Sequence, residues 1–462
     1  MKKTFNFSFL NLGCTKNLVD TQYLMGNIFS LWANNPNYEV QYIADPYDPE
    51  TKFVFLNTCG FIKAGRDEMM ATIEKLTKAK KKIYLLWCGL QYFKTLDKNS
   101  QESKKFKTIL TNVHLLSRTD RENINIANLM NGVSSKKFED FDFPKQTIQA
   151  YTNAEYKFEY LKIAEGCDNK CTFCIIPKIR GAQKSLPIDT IIQEVKNMVH
   201  AGIKEIIFIA QDTTRYGTDL YKKPALFRLL KKVEEIQLDF KYRLLYLYPD
   251  IITIQQLKKL SKFKKFIPYF DIPFQHISSH LLKRMGRFYD EAQIYAFLDF
   301  IKKQFPNSFI RTNFIIGFPG ETEKDQKKLL WFINHNYFDN IALFEYHDEP
   351  LATSSKLDKK IPDDIIRKRF TEVRQLVNSK LLDKEEKRKY IGRPGKGKKR
   401  TGYVMDIIHT SMSSKHSGLL VVRPELHAPE IDPYDEIYPD QIIKVHNKTG
   451  KISIGEKITY KL

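Results

Sequence analysis

An α/β protein in three parts is the fold this sequence predicts: two successive parallel β/α assemblies, then a small all-β module. Three observations predict it. Over roughly the first 385 residues, short apolar runs alternate with amphipathic stretches, the pattern of parallel strands joined by helices. The alternation breaks once, at an irregular stretch over 116–155. After residue 388 the helical patterns stop and only short strand-like runs remain. At 462 residues and 42% hydrophobic, the chain can give each part a core of its own.

The first part covers residues 1–115. FNFSFLNLGC, KFVFLNTCG and KIYLLWCG each read as a buried strand running into a turn. The turn after each strand carries a cysteine: Cys14, Cys59 and Cys88. Ligand sites of open α/β sheets lie beyond the carboxyl ends of the strands, where three such thiols can converge. A small buried hydrophobe is the competing account of any one of them. Residues 116–155 are a connecting region.

The second part, 156–385, repeats a strand–helix unit, with strands at YLKIAEGC, EIIFIAQD, YRLLYLYP, FIPYFDIPFQH, FIRTNFIIGF and NIALFEYHD. Between the first two, LPIDTIIQEVKNMVHAG puts Ile188, Ile191, Ile192, Val195 and Val199 on one helical face, and Gly202 is placed to end the helix. Six units fall short of a closed eight-unit barrel, so a partial (β/α)6 barrel is expected. The third part, 388–462, holds TGYVMDII, GLLVV, QIIKV and KITY, a small OB-like all-β module.

Lys and Arg number 75 against 54 acids, a net charge of +21. The excess suits a nucleic-acid or ribosomal partner; a generally Lys-rich composition is the other account. It peaks between Lys356 and Arg400, where 17 basic residues face 7 acidic ones and the run ends in RPGKGKKR. That stretch reads as a linker, either touching RNA or simply solvated. Residues 423–440 reverse the sign: Glu425, Glu430, Asp432, Asp435, Glu436 and Asp440 stand against Arg423 alone. An acidic loop repels phosphates and suits a basic protein partner, with a plain solvated turn as the alternative. No run is apolar enough to span a membrane and none looks like a signal peptide, so a cytoplasmic location is expected. In that reducing compartment, metal or redox chemistry is the leading use of six cysteines.

Cys167, Cys171 and Cys174 lie in IAEGCDNKCTFCIIP, spaced C-x3-C-x2-C directly after the first strand of the second part. A structural zinc site wants a fourth protein ligand, and the closest histidine, His200, falls in the following helix. Three thiolates can instead hold three irons of a 4Fe–4S cluster and leave the fourth iron open. This spacing at the start of a β/α barrel resembles the radical S-adenosylmethionine (SAM) superfamily, where SAM chelates the open iron through its amino and carboxylate groups. The resemblance implies that Phe173, just before the third cysteine, lies near the adenine; a core aromatic would look the same. It implies an adenine-side role for GFPGETE, whose Gly317 and Gly320 let backbone approach a ligand, although a tight turn needs the same glycines. Gln211, Asp212 and Thr213 of QDTTRYG are similar to the stretch lining the amino-acid and ribose side of SAM, with helix capping the competing role of Asp212.

A three-cysteine α/β part, a radical SAM barrel and a small β-module together resemble the methylthiotransferase family over essentially the whole chain. The resemblance implies a second 4Fe–4S cluster on Cys14, Cys59 and Cys88, and a C-terminal module of the family's TRAM type. LGCTKNLVD, DIPFQHIS and HAPEID look like the RimO branch, which acts on an aspartate of small-subunit ribosomal protein twelve. The MiaB branch, which modifies a transfer RNA adenosine, is the alternative. WCGLQYF around Cys88, YHDEPLATSSKL at 346–357 and Pro433 after APEID depart from the family patterns and leave those loop shapes open. The implied reaction is radical insertion of sulfur at the aspartate β carbon, using two SAM molecules and two clusters and giving 3-methylthioaspartate. No side chain is assigned as catalytic. An electron donor such as flavodoxin or ferredoxin belongs to the same expectation. So does ribosomal RNA contact, where the substrate is met in the subunit and not free. Asp271, Gln275 and His276, at the end of the fourth barrel strand, are candidates for substrate contact or packing.

Overall fold

The structure, a computed structural model, describes residues 3–32, 38–110, 113–115, 149–390, 399–408, 419–432, 434–438, 441–447, 449–450 and 452–461. Most of the connecting region (116–148), most of RPGKGKKR (393–398), Pro433 and Asp440 lie outside the described residues.

The amino-terminal part is a parallel sheet of β1 (Lys3–Leu12), β2 (Tyr38–Tyr42), β3 (Phe53–Thr58), β4 (Lys82–Leu86) and β5 (Val113–Leu115), in the order β2-β1-β3-β4-β5. Helices α1 (Thr15–Trp32), α2 (Lys63–Lys78), α3 (Trp87–Thr95) and α4 (Gln101–Ile109) complete it. β3 is buried throughout and β4 from Ile83 onward, which is why these runs are continuously apolar and do not alternate. The strand order reverses between β1 and β3, and such a switch point opens a crevice at the carboxyl ends. One detail differs from the sequence reading: no turn separates β4 from α3. Trp87, at φ +54°, passes the chain straight into the helix, so Cys88 sits in its first turn.

In the second part, β6 (Phe158–Lys162) is followed by a short antiparallel pair, β7 (Ala164–Glu165) and β8 (Lys184–Ser185). Then come β9 (Glu205–Ile209), β10 (Lys241–Leu244), β11 (Phe266–Gln275), β12 (Phe309–Ile316) and β13 (Asn340–Glu345). β6 and β9–β13 form one parallel sheet in chain order, with β6 and β13 at its two edges, so the barrel is partial. The helix Ile188–His200 buries Ile188, Ile191, Val195 and Met198 against it.

The stretch read as a linker is largely helical. Asp363–Tyr390 is one helix, and Ile366, Val373 and Val377 on it are buried. Apolar positions three or four residues apart make a stripe, which the surrounding charge hid in the sequence.

The C-terminal part is an antiparallel sheet of β14 (Lys399–Ile408), β15 (Leu419–Pro424), β16 (Asp435–Ile437), β17 (Ile442–Val445) and β18 (Lys457–Lys461), ordered β16-β15-β14-β18-β17. The connection after β15 docks against the amino-terminal ends of the barrel strands. Ala428 and Ile431 pack with Phe158, Tyr160 and Phe309. Arg243 donates to the carbonyls of Glu425 and Leu426. The acidic-loop expectation is corrected for three of its residues, while Glu430 and Glu436 are exposed. Glu425 pairs with Lys457, Asp432 accepts from Asn340 and the Ala428 N–H, and Asp435 pairs with Arg400. The Glu425 and Asp435 pairs lie within the C-terminal part, and Asp432 reaches Asn340 at the start of β13. Among the described residues no helix is long and apolar enough to cross a membrane.

Candidate active site

The C-x3-C-x2-C loop leaves β7 through Gly166 and enters a short helix, α5 (Ile176–Arg180). Cys167 is buried; Cys171 and Cys174 are half-buried. Backbone N–H groups of Asn169 and Ile176 point at the sulfurs of Cys167 and Cys174, at 3.5 and 3.4 Å. The loop is clamped from outside: Thr172 N–H donates to the Met285 carbonyl, and Ser354 N–H donates to the Thr172 carbonyl. Burial pushes the Cys167 thiol up to about 12, and raises Cys171 and Cys174 as well, with the neighbouring thiols adding to the rise at Cys174. Such thiols ionise only with a compensating cation, as metal ligation supplies. Phe173 packs with Leu281, Met285 and Phe318.

The second trio forms because its strands are neighbours. Cys14 follows β1, Cys59 follows β3 and Cys88 follows β4, three adjacent strands of one sheet. Close packing of the turns needs small residues: a Cβ on Gly60 would lie 2.2 Å from the Cys88 carbonyl oxygen, and one on Gly89 would lie 2.3 Å from Thr58 Oγ1. Asn17 ties the turns together. Its Nδ2 donates to Asn57 Oδ1 and the Thr58 carbonyl, and its Oδ1 accepts from the Cys14 thiol at 3.4 Å. Burial raises Cys59, and takes Cys88 up to about 12 against the pull of Arg180. The protein around Cys14 also disfavours its charge, yet Lys16 and Arg180 outweigh that and draw the thiol below its ordinary value.

A buried polar network runs from the second trio to the strand that leads into the first. Arg180, at the end of α5, donates through Nε to Cys88 Sγ at 3.0 Å and through Nη2 to Asn17 Oδ1 at 2.8 Å. Its Nη1 meets Glu165 at 2.9 Å and Asp20 at 3.1 Å. Lys162 pairs with the same Asp20 and Glu165. Sequence reasoning named none of Asn17, Asp20, Lys162, Glu165 or Arg180 individually. Asn17, Asp20, Lys162 and Glu165 lie inside the quoted stretches, so for these the signal was their position near the cysteines.

The remaining expected residues fall around this core. Gln211 donates to Glu165, and Thr213 Oγ1 donates to the Leu245 carbonyl. Asp212 caps the turn Thr213–Arg215 through the N–H groups of Thr214 and Arg215 and also accepts from Asn169 of the cysteine loop. Capping and a place beside the loop are therefore both present. Gly317 and Gly320 have φ of +82° and +92°, the turn geometry anticipated for them. A Cβ at Gly317 would strike Ile366, so that glycine faces the chain's own helix. Asp271, Gln275 and His276 are all buried and internally engaged. Asp271 accepts from Arg311 and from the Tyr246 N–H; Gln275 accepts from Asn313; His276 Nδ1 accepts from the Ser278 N–H. Burial takes His276 down to about 3, which keeps it neutral.

Among the described residues, no group of three or more His, Cys, Asp or Glu side chains is placed to hold a metal ion. A 4Fe–4S cluster asks for something else: three thiolates on separate irons, hence further apart than the ligands of one ion. Two all-thiol trios with no histidine among them offer the donor type such a cluster takes.

Residues 161–333 match the Radical SAM superfamily, and residues 6–111 match Uncharacterized protein family UPF0004. Among curated proteins the chain is similar to ribosomal protein uS12 methylthiotransferase RimO of Carboxydothermus hydrogenoformans, 34% identical over 94% of this chain and 93% of the relative. The RimO of Dictyoglomus thermophilum is 36% identical over 83% and 88%, and that of Chlamydia felis 32% over 98% and 94%. Among solved structures, the radical S-adenosylmethionine methyltransferase TsrM from Kitasatospora setae shares the fold at a TM-score of 0.51 and 9% identity, over 75% of each chain.

Proposed function

We propose one reaction for this chain, which belongs to the RimO family of ribosomal protein uS12 methylthiotransferases. It is a radical SAM methylthiotransferase, and SAM and 4Fe–4S chemistry come with that class. The proposed substrate is an aspartate side chain of small-subunit ribosomal protein twelve. The proposed product is 3-methylthioaspartate, made with two SAM molecules and two clusters, one on Cys167, Cys171 and Cys174 and one on Cys14, Cys59 and Cys88. The observation that supports this reading is the polar network through Arg180, which reaches Cys88 of one trio and Glu165, two residues before Cys167 of the other.

A methylene β to the backbone is not acidic enough for any side-chain base. When bound, the first cluster with SAM supplies a carbon radical able to take that hydrogen, and the second supplies the methylthio group. The chain's own residues hold and orient. Asn17 and Arg180 fix the turn bearing Cys14 and the helix bearing Cys88 against the Cys167 loop. Gln211 and Asp212 bring the end of β9 onto the same loop through Glu165 and Asn169. A cytoplasmic location and a flavodoxin- or ferredoxin-like electron donor complete the reading.

Anaerobically reconstituted protein is expected to hold about eight irons per chain; about four would remove the second cluster. Incubated with SAM and reductant, ribosomal protein twelve, free or in the subunit, should gain the modification by mass spectrometry. Modified transfer RNA with unchanged protein would overturn the substrate.

A further inference from the structure

Around the two trios the buried cations and carboxylates pair only in part. Lys162 and Arg180 face Asp20 and Glu165, two positive against two negative. Arg311 is matched by Asp271. Lys16, in the first turn of α1, meets no carboxylate among the described residues, although it is only 8% exposed. Its ammonium sits 3.2 Å above the centroid of the Tyr246 ring. A ring face offsets only part of the cost of taking an ammonium out of water, so the position asks for an anion.

Where that anion would lie is fixed from both sides. Lys16 is two residues from Cys14 and is the stronger of the two cations acting on its thiol. Tyr246 is held at φ +61°, in the left-handed region that a non-glycine residue enters only under constraint. The constraints are visible: its N–H donates to Asp271 Oδ2 at 3.0 Å, and its carbonyl accepts from the Thr213 N–H at 3.1 Å. Thr213 belongs to the stretch expected along SAM. Lys16 and its ring therefore stand between the Cys14 side and the SAM side.

We propose that Lys16, seated on Tyr246, binds the side-chain carboxylate of the substrate aspartate and so selects an acidic residue for modification. This rests on the function proposed above. The carboxylate carbon is bonded directly to the β carbon, so anchoring one holds the other between the two trios. Two other buried cations meet no carboxylate among the described residues: Lys81, which donates to the Asp48 and Thr51 carbonyls, and Arg287. Arg287 lies over Phe173 and Tyr248 and acts on Cys171, beside the first trio. Lys16 is the one that acts on Cys14, on the side of the second trio.

The test uses the full reconstituted chain, ribosomal protein twelve, and a version of that protein with the target aspartate changed to asparagine. Wild type should prefer aspartate. Lys16→Gln should lose about 10- to 100-fold in kcat/KM on the aspartate substrate, as for a lost charge-assisted hydrogen bond, and its preference over asparagine should shrink by the same factor. Lys16→Arg should recover part of both. Iron content and SAM affinity by equilibrium dialysis should match wild type. An undiminished aspartate preference in Lys16→Gln overturns the proposal. Weakened SAM binding also overturns it, by giving Lys16 to the carboxylate of SAM, and lost iron overturns it by making Lys16 a counter-charge of the cluster. A wild type that modifies no aspartate fails the functional reading and this proposal together, whereas a working wild type with an indifferent Lys16→Gln fails the proposal alone.

Discussion

Arg180 is the residue on which the site turns. It is fully enclosed, and its guanidinium reaches a cysteine of one trio and, through Glu165, the strand that leads into the other. Removing one partner of a buried ion network strands the others, so Arg180→Gln should cost about 3–5 kcal/mol of stability. It should also change the acid response. Burial alone would raise Glu165, but Arg180 and Lys162 outweigh it and hold the carboxyl well below its ordinary value of 4.5. A depressed carboxyl contributes stability that is present above the unfolded value and lost as pH falls below it. Thermal melts of cluster-free protein from neutral pH to below 4.5 should therefore show a steeper acid loss in wild type than in Arg180→Gln, where Lys162 alone remains. Parallel curves would show that Arg180 does not set the charge of Glu165.

At the scale of elements, the cysteine loop owes its shape to its neighbours more than to itself. Gly286, at φ +73° after the helix Ser279–Arg284, lies directly against it. A Cβ there would stand 2.3 Å from the Lys170 carbonyl oxygen and 3.4 Å from Cys171 Cα. Gly286→Ala must therefore push the loop away, and the backbone conformation is unfavourable for alanine besides. The expected result is a folded chain that loses about four irons and retains those of the other trio. Iron analysis with electron paramagnetic resonance separates the two sites; unchanged iron would mean that the loop adapts. The turn after β3 and the start of α3 follow the same logic, since Gly60 and Gly89 let β3 and β4 deliver Cys59 and Cys88 side by side.

The whole molecule is held at the opposite end of the barrel. Glu205, at the start of β9, lies between Arg243 of β10 and Arg423 of β15, all three buried. Glu205→Ala would leave two enclosed guanidinium groups without their carboxylate, a loss of about 3–5 kcal/mol at the joint. Limited proteolysis should then release the C-terminal sheet earlier than in wild type, and an unchanged pattern would place the strength of the joint in the apolar contacts of Ala428 and Ile431. This joint was not legible in the sequence, where Glu425, Asp432 and Asp435 looked like a free acidic surface. The helix Asp363–Tyr390 was hidden for a related reason: its stripe of Ile366, Val373 and Val377 is diluted by Lys and Arg that composition counts equally. What the sequence by itself determined was local chemistry. The alternating strands and helices follow from apolar periodicity, and the C-x3-C-x2-C spacing from the few residues a short loop needs to present three thiolates. What only the tertiary structure decided was convergence. Cys14, Cys59 and Cys88 meet because β1, β3 and β4 are neighbours, and Arg180, Glu165, Asp20 and Lys162 find one another across as many as 160 positions. Sequence spacing carries no distance over such separations. Burial does, because enclosed charges must be paired.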